Sequence, residues 1–157
     1  MRIDLLLTIS IVLLFGCNNP KKDKTEKSTE IVETKEVLNE VVSLSLVPNV
    51  FKLSQLPDMV EVKMTNNTND TVTTGLHYKI ERNENNIWKE VSPKGIVFHD
   101  LGWQLTPGHT ENFEKQLYKT QIDYKVGKYR IAKYYLKADY QETKQNYTIY
   151  AEFNILE

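Results

Sequence analysis

The sequence predicts an all-β domain in which two antiparallel sheets pack face to face. Beyond Val41, apolar and polar residues alternate with a period of two, the pattern of strands with one buried and one wet face. Clusters of Asn, Asp, Gly and Pro separate these segments, and none of the segments has convincing helical spacing. Some seven or eight short strands of this kind favour a single sandwich over a parallel α/β arrangement.

The first predicted strand places Val42, Leu44 and Leu46 on one face and ends at Pro48-Asn49. The other predicted strands are bounded by polar turns and cover residues 60–65, 76–81, 87–91, 97–105, 110–117, 127–136 and 146–156. In the last of them, one face carries only apolar or aromatic residues: Tyr147, Ile149, Ala151, Phe153 and Ile155. These faces are expected to meet in the core.

The N-terminus has a different composition. Arg2 is followed by an almost unbroken apolar run from Leu5 to Phe15. The run is shorter than the roughly 20 residues of a membrane-spanning helix, and it is typical of the apolar core of an export signal. It ends in Leu14-Phe15-Gly16-Cys17, which resembles the lipobox of bacterial lipoproteins. The resemblance implies that residues 1–16 are a signal peptide and that the mature chain begins at a lipid-modified Cys17.

Cys17 is the only cysteine, so no intramolecular disulfide can form. The lipoprotein resemblance implies two or three acyl chains, such as palmitate, on its thiol and amino group. Because each buried methylene contributes about 0.8 kcal/mol, such an anchor is effectively permanent. We therefore expect the protein in the bacterial cell envelope, held to a membrane by this lipid and facing the periplasm or the cell surface. No cofactor besides the lipid is expected.

Between the anchor and the sandwich, residues 17–40 are predicted to form a flexible tether. The segment is rich in Lys, Glu, Asn and Thr, and it has too little apolar surface to offset the entropy of ordering. As a flexible coil it would reach on the order of 25 Å.

Four short motifs occur within residues 41–157. They are Met64-Thr65-Asn66-Asn67-Thr68, Trp88-Lys89-Glu90-Val91, Leu105-Thr106-Pro107-Gly108 and Gly127-Lys128-Tyr129-Arg130-Ile131-Ala132-Lys133. From about Val42 to Ile155, the chain resembles the bacterial immunoglobulin-like domain family found in small lipoproteins and membrane sensors. The resemblance implies an immunoglobulin-like antiparallel β-sandwich, but no shared activity, since a fold does not fix a function.

Several residues of these motifs have a direct physical interpretation. Gly127 permits a sharp entry into a strand, and the Tyr129 hydroxyl can turn back onto the neighbouring loop, as in a tyrosine corner. Pro107-Gly108 suits a type II turn, in which glycine takes the positive φ. Trp88 is interpreted as a large side chain that packs in the core or covers the edge of a sheet.

The sequence contains no recognisable reaction site, so we expect a protein that is not an enzyme. It lacks a nucleophile elbow, a phosphate-binding glycine loop and paired metal ligands. His77, His99, His109 and Asp100 could in principle bind zinc, but they lie on separate segments without a close ligand pair. We interpret the three as ordinary surface histidines and expect no metal. The 20 basic and 21 acidic residues are interspersed, which gives no reason to expect nucleic acid as a partner.

The best candidates for contact with a partner or ligand are the aromatic residues Tyr134, Tyr140 and Trp103. Such side chains combine an apolar face with a polar tip and are favoured at interfaces. The alternation places Tyr135 in the core with Tyr129, and Tyr134 on the opposite face; cross-strand packing is favoured over a ligand platform. The leading hypothesis is a non-catalytic interaction module presented to another envelope protein. The alternative is a glycan- or small-molecule-binding module that uses exposed aromatic residues. The oligomeric state is left open.

Overall fold

The computed structural model of the protein describes residues 41–99 and 101–157. The predicted signal peptide, Cys17 and the predicted tether lie outside the described residues, and so does Asp100. Within the described ranges, no helix is long and apolar enough to cross a membrane.

The described residues form nine strands, one short helix and one 3₁₀ turn. In chain order the strands are β1 (Val42–Leu46), β2 (Val50–Lys52), β3 (Met59–Asn66), β4 (Val72–Glu84), β5 (Ile87–Glu90), β6 (Gly102–Leu105), β7 (Thr110–Gln116), β8 (Gly127–Leu136) and β9 (Asn146–Leu156). The helix α1 covers Tyr140–Thr143, and the 3₁₀ turn covers Leu53–Gln55.

The strands build two sheets. The small sheet has the order β1-β3-β7 and is antiparallel. The large sheet has the order β2-β9-β8-β4-β5, and β6 pairs with the first part of β4. Its pairs are antiparallel except that of β2 with β9. The predicted all-β sandwich is therefore confirmed.

Alternate residues of both sheets fill the space between them. Val62 and Met64 of the small sheet, and Ile80, Ile131 and Phe153 of the large sheet, are completely buried. Burying a side chain of this size contributes about 1.5–3 kcal/mol relative to leaving it exposed. The apolar residues of the period-two pattern are therefore the ones on the inward face of each strand.

The strand register defines two ends of the sandwich. At one end, β1 begins, β3 ends at Asn66 and β9 begins at Asn146. We call this end the chain-entry pole, because the described chain starts there at Val41. At the other end, the distal pole, β1 ends, β3 begins at Met59 and β9 ends at Leu156. The 3₁₀ turn and the loop between β7 and β8 also lie at the distal pole.

The bounds of some strands differ from the prediction. β4 begins at Val72 instead of residue 76, and β6 covers only the last part of the predicted segment 97–105. Val97 is 91 % exposed in a connection whose Phe98 packs on the ring of Tyr78. β2 was not predicted, because three residues are too few to show a period.

Two turns have the backbone conformations that their residues favour. Thr106 O accepts a hydrogen bond of 3.0 Å from His109 N, and Gly108 has a φ of 75°, as the predicted type II turn requires. Asn85 and Asn86, with φ values of 54° and 65°, connect β4 to β5 in a two-residue hairpin.

Tyr129 forms the predicted tyrosine corner. Its hydroxyl accepts a hydrogen bond from Lys125 N at 2.9 Å and donates one to Lys125 O at 3.0 Å. Its ring stacks on Phe153 with centroids 5.6 Å apart. Gly127, with a φ of 149°, allows the chain to turn from this loop into β8. The corner therefore fixes the loop between β7 and β8 to the core.

Replacing Tyr129 with Phe removes this hydroxyl and keeps the ring. We expect the free energy of unfolding to fall by about 1–2 kcal/mol, because two backbone groups lose their partner. Tyr147→Phe is the matched control, since the Tyr147 hydroxyl donates to the exposed side chain of Gln145, and its loss should cost less than about 0.5 kcal/mol. Urea titration measures both values, and equal losses would contradict a special role for the corner.

Candidate functional site

β4 contains an irregularity in the middle of the large sheet. Thr74 pairs with Tyr135 and Tyr78 pairs with Lys133, so four steps along β4 match two steps along β8. We call the residues Gly75–His77 the bulge. They have no partner in the β8 register, and their backbone groups must find other hydrogen bonds.

Two buried lysines, one from each sheet, provide part of those hydrogen bonds. Lys133 Nζ donates to Gly75 O, and Lys115 Nζ donates to Leu76 O at 3.2 Å. Both side chains are 1 % exposed. The two amines therefore connect β7 and β8 to the bulge from inside the sandwich.

Aromatic rings form much of the surroundings of these amines. Lys133 Nζ lies 4.3 Å from the centroid of the Phe113 ring. Lys115 Nζ lies 4.9 Å from the centroid of Tyr78 and 5.2 Å from that of Phe113. Neither amine forms an ion pair with another described residue. Ring faces attract a cation, but they do not replace its hydration.

The pKa values of both amines are low because burial disfavours the charged form. Burial lowers the pKa of Lys115 to about 8, and burial together with the nearby Lys115 lowers the pKa of Lys133 to about 7. A lysine in the unfolded chain has a pKa of about 10.4. Between these values, the unfolded chain binds more protons than the folded one, so stability rises with pH from neutral to alkaline conditions.

We expect the free energy of unfolding to be higher at about pH 9 than at about pH 6, and this difference to shrink in Lys133→Met. At the lower pH the variant should be more stable by about 1–3 kcal/mol, because an apolar side chain replaces a buried charge. Lys128→Met is the control: Lys128 is half exposed in an ion pair with Glu152, and its loss should cost under about 1 kcal/mol. Urea titrations at both pH values measure these effects. A destabilised Lys133→Met would mean that the hydrogen bond to the bulge outweighs the cost of burial, and an unchanged pH dependence would mean that the pKa of Lys133 is not lowered.

The outer face of the large sheet carries a cluster that we call the arginine clamp. Arg130 Cζ lies 4.2 Å from the ring centroid of Trp88 and 3.8 Å from that of Tyr150. Arg130 Nε lies 2.5 Å from a carboxylate oxygen of Glu81, and both side chains of this ion pair are less than one-fifth exposed. Trp88 therefore lies at the sheet edge, half-buried against Arg130, rather than in the core. Strands β4, β5, β8 and β9 all contribute to this cluster.

Beside the clamp, the same face has a cavity of about 310 Å³ that we call the bulge cleft. The rings of Phe98 and Tyr134 flank His77, with centroids 5.1 Å and 5.7 Å from the His77 ring. Burial lowers the pKa of His77, and the nearby Lys79 lowers it further. A Cβ at Gly75 would approach the Tyr134 hydroxyl to 3.3 Å, so the Tyr134 side chain would have to shift by a few tenths of an ångström. The cleft therefore offers a surface of aromatic and aliphatic side chains.

The structure separates the three predicted contact residues. Tyr134 lines the bulge cleft on the outer face. Trp103 is half-buried and packs edge-on against Phe113, with ring centroids 5.7 Å apart. Tyr140 begins α1, between β8 and β9. Among the described residues, no ring contact joins any two of the three.

The three histidines do not form one cluster. His77 and His99 line the bulge cleft, whereas His109 Nε2 lies 3.6 Å from a carboxylate oxygen of Glu111. In the ranges 41–99 and 101–157, which leave out Asp100, no three residues of the types His, Cys, Asp and Glu could hold a metal ion.

Sequence reasoning missed the lysine pair and the arginine clamp. A signal for the lysines was present, because Lys115 and Lys133 occupy inward positions of the alternation beside Phe113 and Ile131. No comparable signal exists for the clamp, whose parts come from four strands.

A comparison with protein families agrees with this architecture. The family model described as a bacterial Ig-like domain matches residues 39–154. The chain therefore belongs to the bacterial Ig-like domain family. Domains of this family are generally non-catalytic modules, and membership indicates an extracellular or envelope location. No curated protein matches the chain.

Proposed function

We propose that the protein is a lipoprotein of the bacterial envelope, anchored through Cys17, that presents its Ig-like domain as a non-catalytic binding module for another envelope protein. The contact surface is the outer face of the large sheet. The observation that carries this assignment is the arginine clamp. Its side chains are held in place before any partner arrives.

The composition of the clamp supports protein binding. Tryptophan, tyrosine and arginine dominate the residues that contribute most to protein–protein affinity. Arg130 is already stacked on two rings and paired with Glu81, so little side-chain entropy is lost on binding. Tyr150, 43 % exposed, leaves one edge of the cluster open to a partner.

Anchoring rests on the lipobox resemblance and on the position of Cys17 in the sequence. In a bacterial host, we expect the full chain to fractionate with membranes, and its mature N-terminal peptide to begin at an acylated Cys17. Cys17→Ser should move the protein to the soluble fraction, because the thiol that accepts the lipid is lost. Asn19→Ser is the matched control and should stay in the membrane fraction. Mass spectrometry of an unprocessed, unacylated N-terminus in the wild-type chain would contradict the anchor.

Binding through the outer face is testable by photo-crosslinking in the same host. A photoreactive residue at Thr148, which faces Tyr134 in the β8–β9 register, should give a discrete crosslinked protein. The same residue at Ser43, exposed on the small sheet near the chain-entry pole, is the matched control and should give none. Tyr150→Ala should lower the yield of the Thr148 crosslink by about tenfold, because aromatic residues at an interface often contribute strongly to affinity. Equal crosslinking from both positions would refute the assigned face.

The bulge cleft favours a second candidate function, the binding of a glycan or small molecule. Its rings can pack on an apolar face of a ligand, and Tyr134 adds a hydroxyl. If the protein has this function, Thr148 should give no protein crosslink, and cell-wall polysaccharide should change the protein's fluorescence. Tyr134→Ala should abolish this fluorescence change, whereas Tyr140→Ala should leave it intact.

A further inference from the structure

Exposed apolar side chains are concentrated at one end of the sandwich. Seven large ones lie at or near the distal pole: Val47, Val50, Leu53, Met59, Ile87, Val126 and Leu156. The other exposed ones among the described residues are Val41, Val97, Leu101 and Tyr150. Of these four, only Val41 lies at the chain-entry pole. Single exposed apolar residues are common on soluble proteins, whereas a contiguous apolar patch indicates a contact surface.

Part of this surface is a groove at the corner where the chain passes from β1 to β2. It encloses about 400 Å³ and is lined mainly by apolar residues, among them Val47, Pro48, Phe51, Pro57 and Met59. Val47 is 87 % exposed and Met59 is 43 % exposed. The two prolines restrict the backbone on both sides, so the groove is present without a partner. We call it the distal groove.

The rim of the distal groove carries one carboxylate, and a second lies directly beside it. Glu61 lines the groove and pairs directly with Glu114 in the β3–β7 register. Like charges at directly opposed positions destabilise a sheet. Among the described residues neither carboxylate forms an ion pair, and Lys63, two positions along β3, pairs with neither. The two charges are therefore available to a cationic partner.

We propose that the distal groove binds a protein segment in which a large apolar side chain is flanked by lysine or arginine. The apolar side chain fills the groove, and the basic side chains pair with Glu61 and Glu114. This contact is separate from the outer face of the large sheet, and it holds whether or not that face binds a partner.

The charge of the rim argues against two other occupants. A second copy docked on the same surface in a twofold arrangement would bring the carboxylates of the two rims together. An anionic membrane surface would meet the same carboxylates and be repelled. A segment with both a large apolar side chain and positive charges can make favourable contacts with the apolar groove and with the two carboxylates.

The test measures the binding of three labelled peptides to the purified full chain by fluorescence anisotropy. They are identical except for the central residues, which are Lys-Phe-Lys, Glu-Phe-Glu or Lys-Ser-Lys. We expect the first peptide to bind about tenfold more tightly than either of the others, because only it supplies both the large apolar side chain and the positive charges. Binding that is equal for all three, or absent for the first, overturns the proposal.

Variants locate the binding. Val47→Ser should lower the affinity for the Lys-Phe-Lys peptide by about tenfold. Val41 is an exposed valine at the opposite pole, so Val41→Ser should leave this affinity unchanged. Glu61→Gln should lower the affinity for this peptide by about threefold and make the affinity less dependent on salt. These side chains are exposed, so thermal melts should confirm intact folding. Equal affinities of the two valine variants overturn the proposal, as does a dimer in light scattering that Val47→Ser dissociates.

Discussion

The bulge in β4 is the constraint on which much of this domain depends. Among the described strands, only β4 pairs with three others, β5, β6 and β8, so a change in its register affects three neighbours. Inside the sandwich, the bulge presents the carbonyls of Gly75 and Leu76 to the amines of Lys133 and Lys115. Outside, the same residues form the floor of the bulge cleft. One backbone irregularity thus determines both an interior polar cluster and an exterior surface.

The lysine pair combines a cost of burial with a structural role. An apolar residue at either position would avoid the cost of burying an amine, and replacing buried charged groups by well-packed apolar ones is often neutral or stabilising. The carbonyls of the bulge would then need other donors, since an unpaired buried carbonyl has its own cost of about 1–3 kcal/mol. The lysines meet that need and keep their aliphatic stems in the core. Their long side chains allow one donor group to come from each sheet.

The alternation in the sequence was sufficient to predict the sandwich, because each strand buries every second residue. Local chemistry was sufficient for Pro107-Gly108 and Tyr129, whose turn and corner involve neighbouring residues. The surfaces were not predictable in the same way. The register shift in β4 is set by packing across the sheet, and the ring contacts of Arg130 join strands that are far apart in sequence. Tyr134 is a candidate as an aromatic residue on the face opposite the core, whereas the cleft around it depends on the connection that carries Phe98.

The arginine clamp and the distal groove can act independently because they share no residue. The clamp is built from β4, β5, β8 and β9, whereas the groove is built from β1, β2, β3 and the 3₁₀ turn. Substitutions at separate sites without shared partners usually have additive effects on free energy. The sandwich suits such a division, because its core fixes both sheets and leaves the outer face and the distal pole to separate partners. A module of this kind can hold one partner on a face and another at an end, with each affinity set by its own side chains.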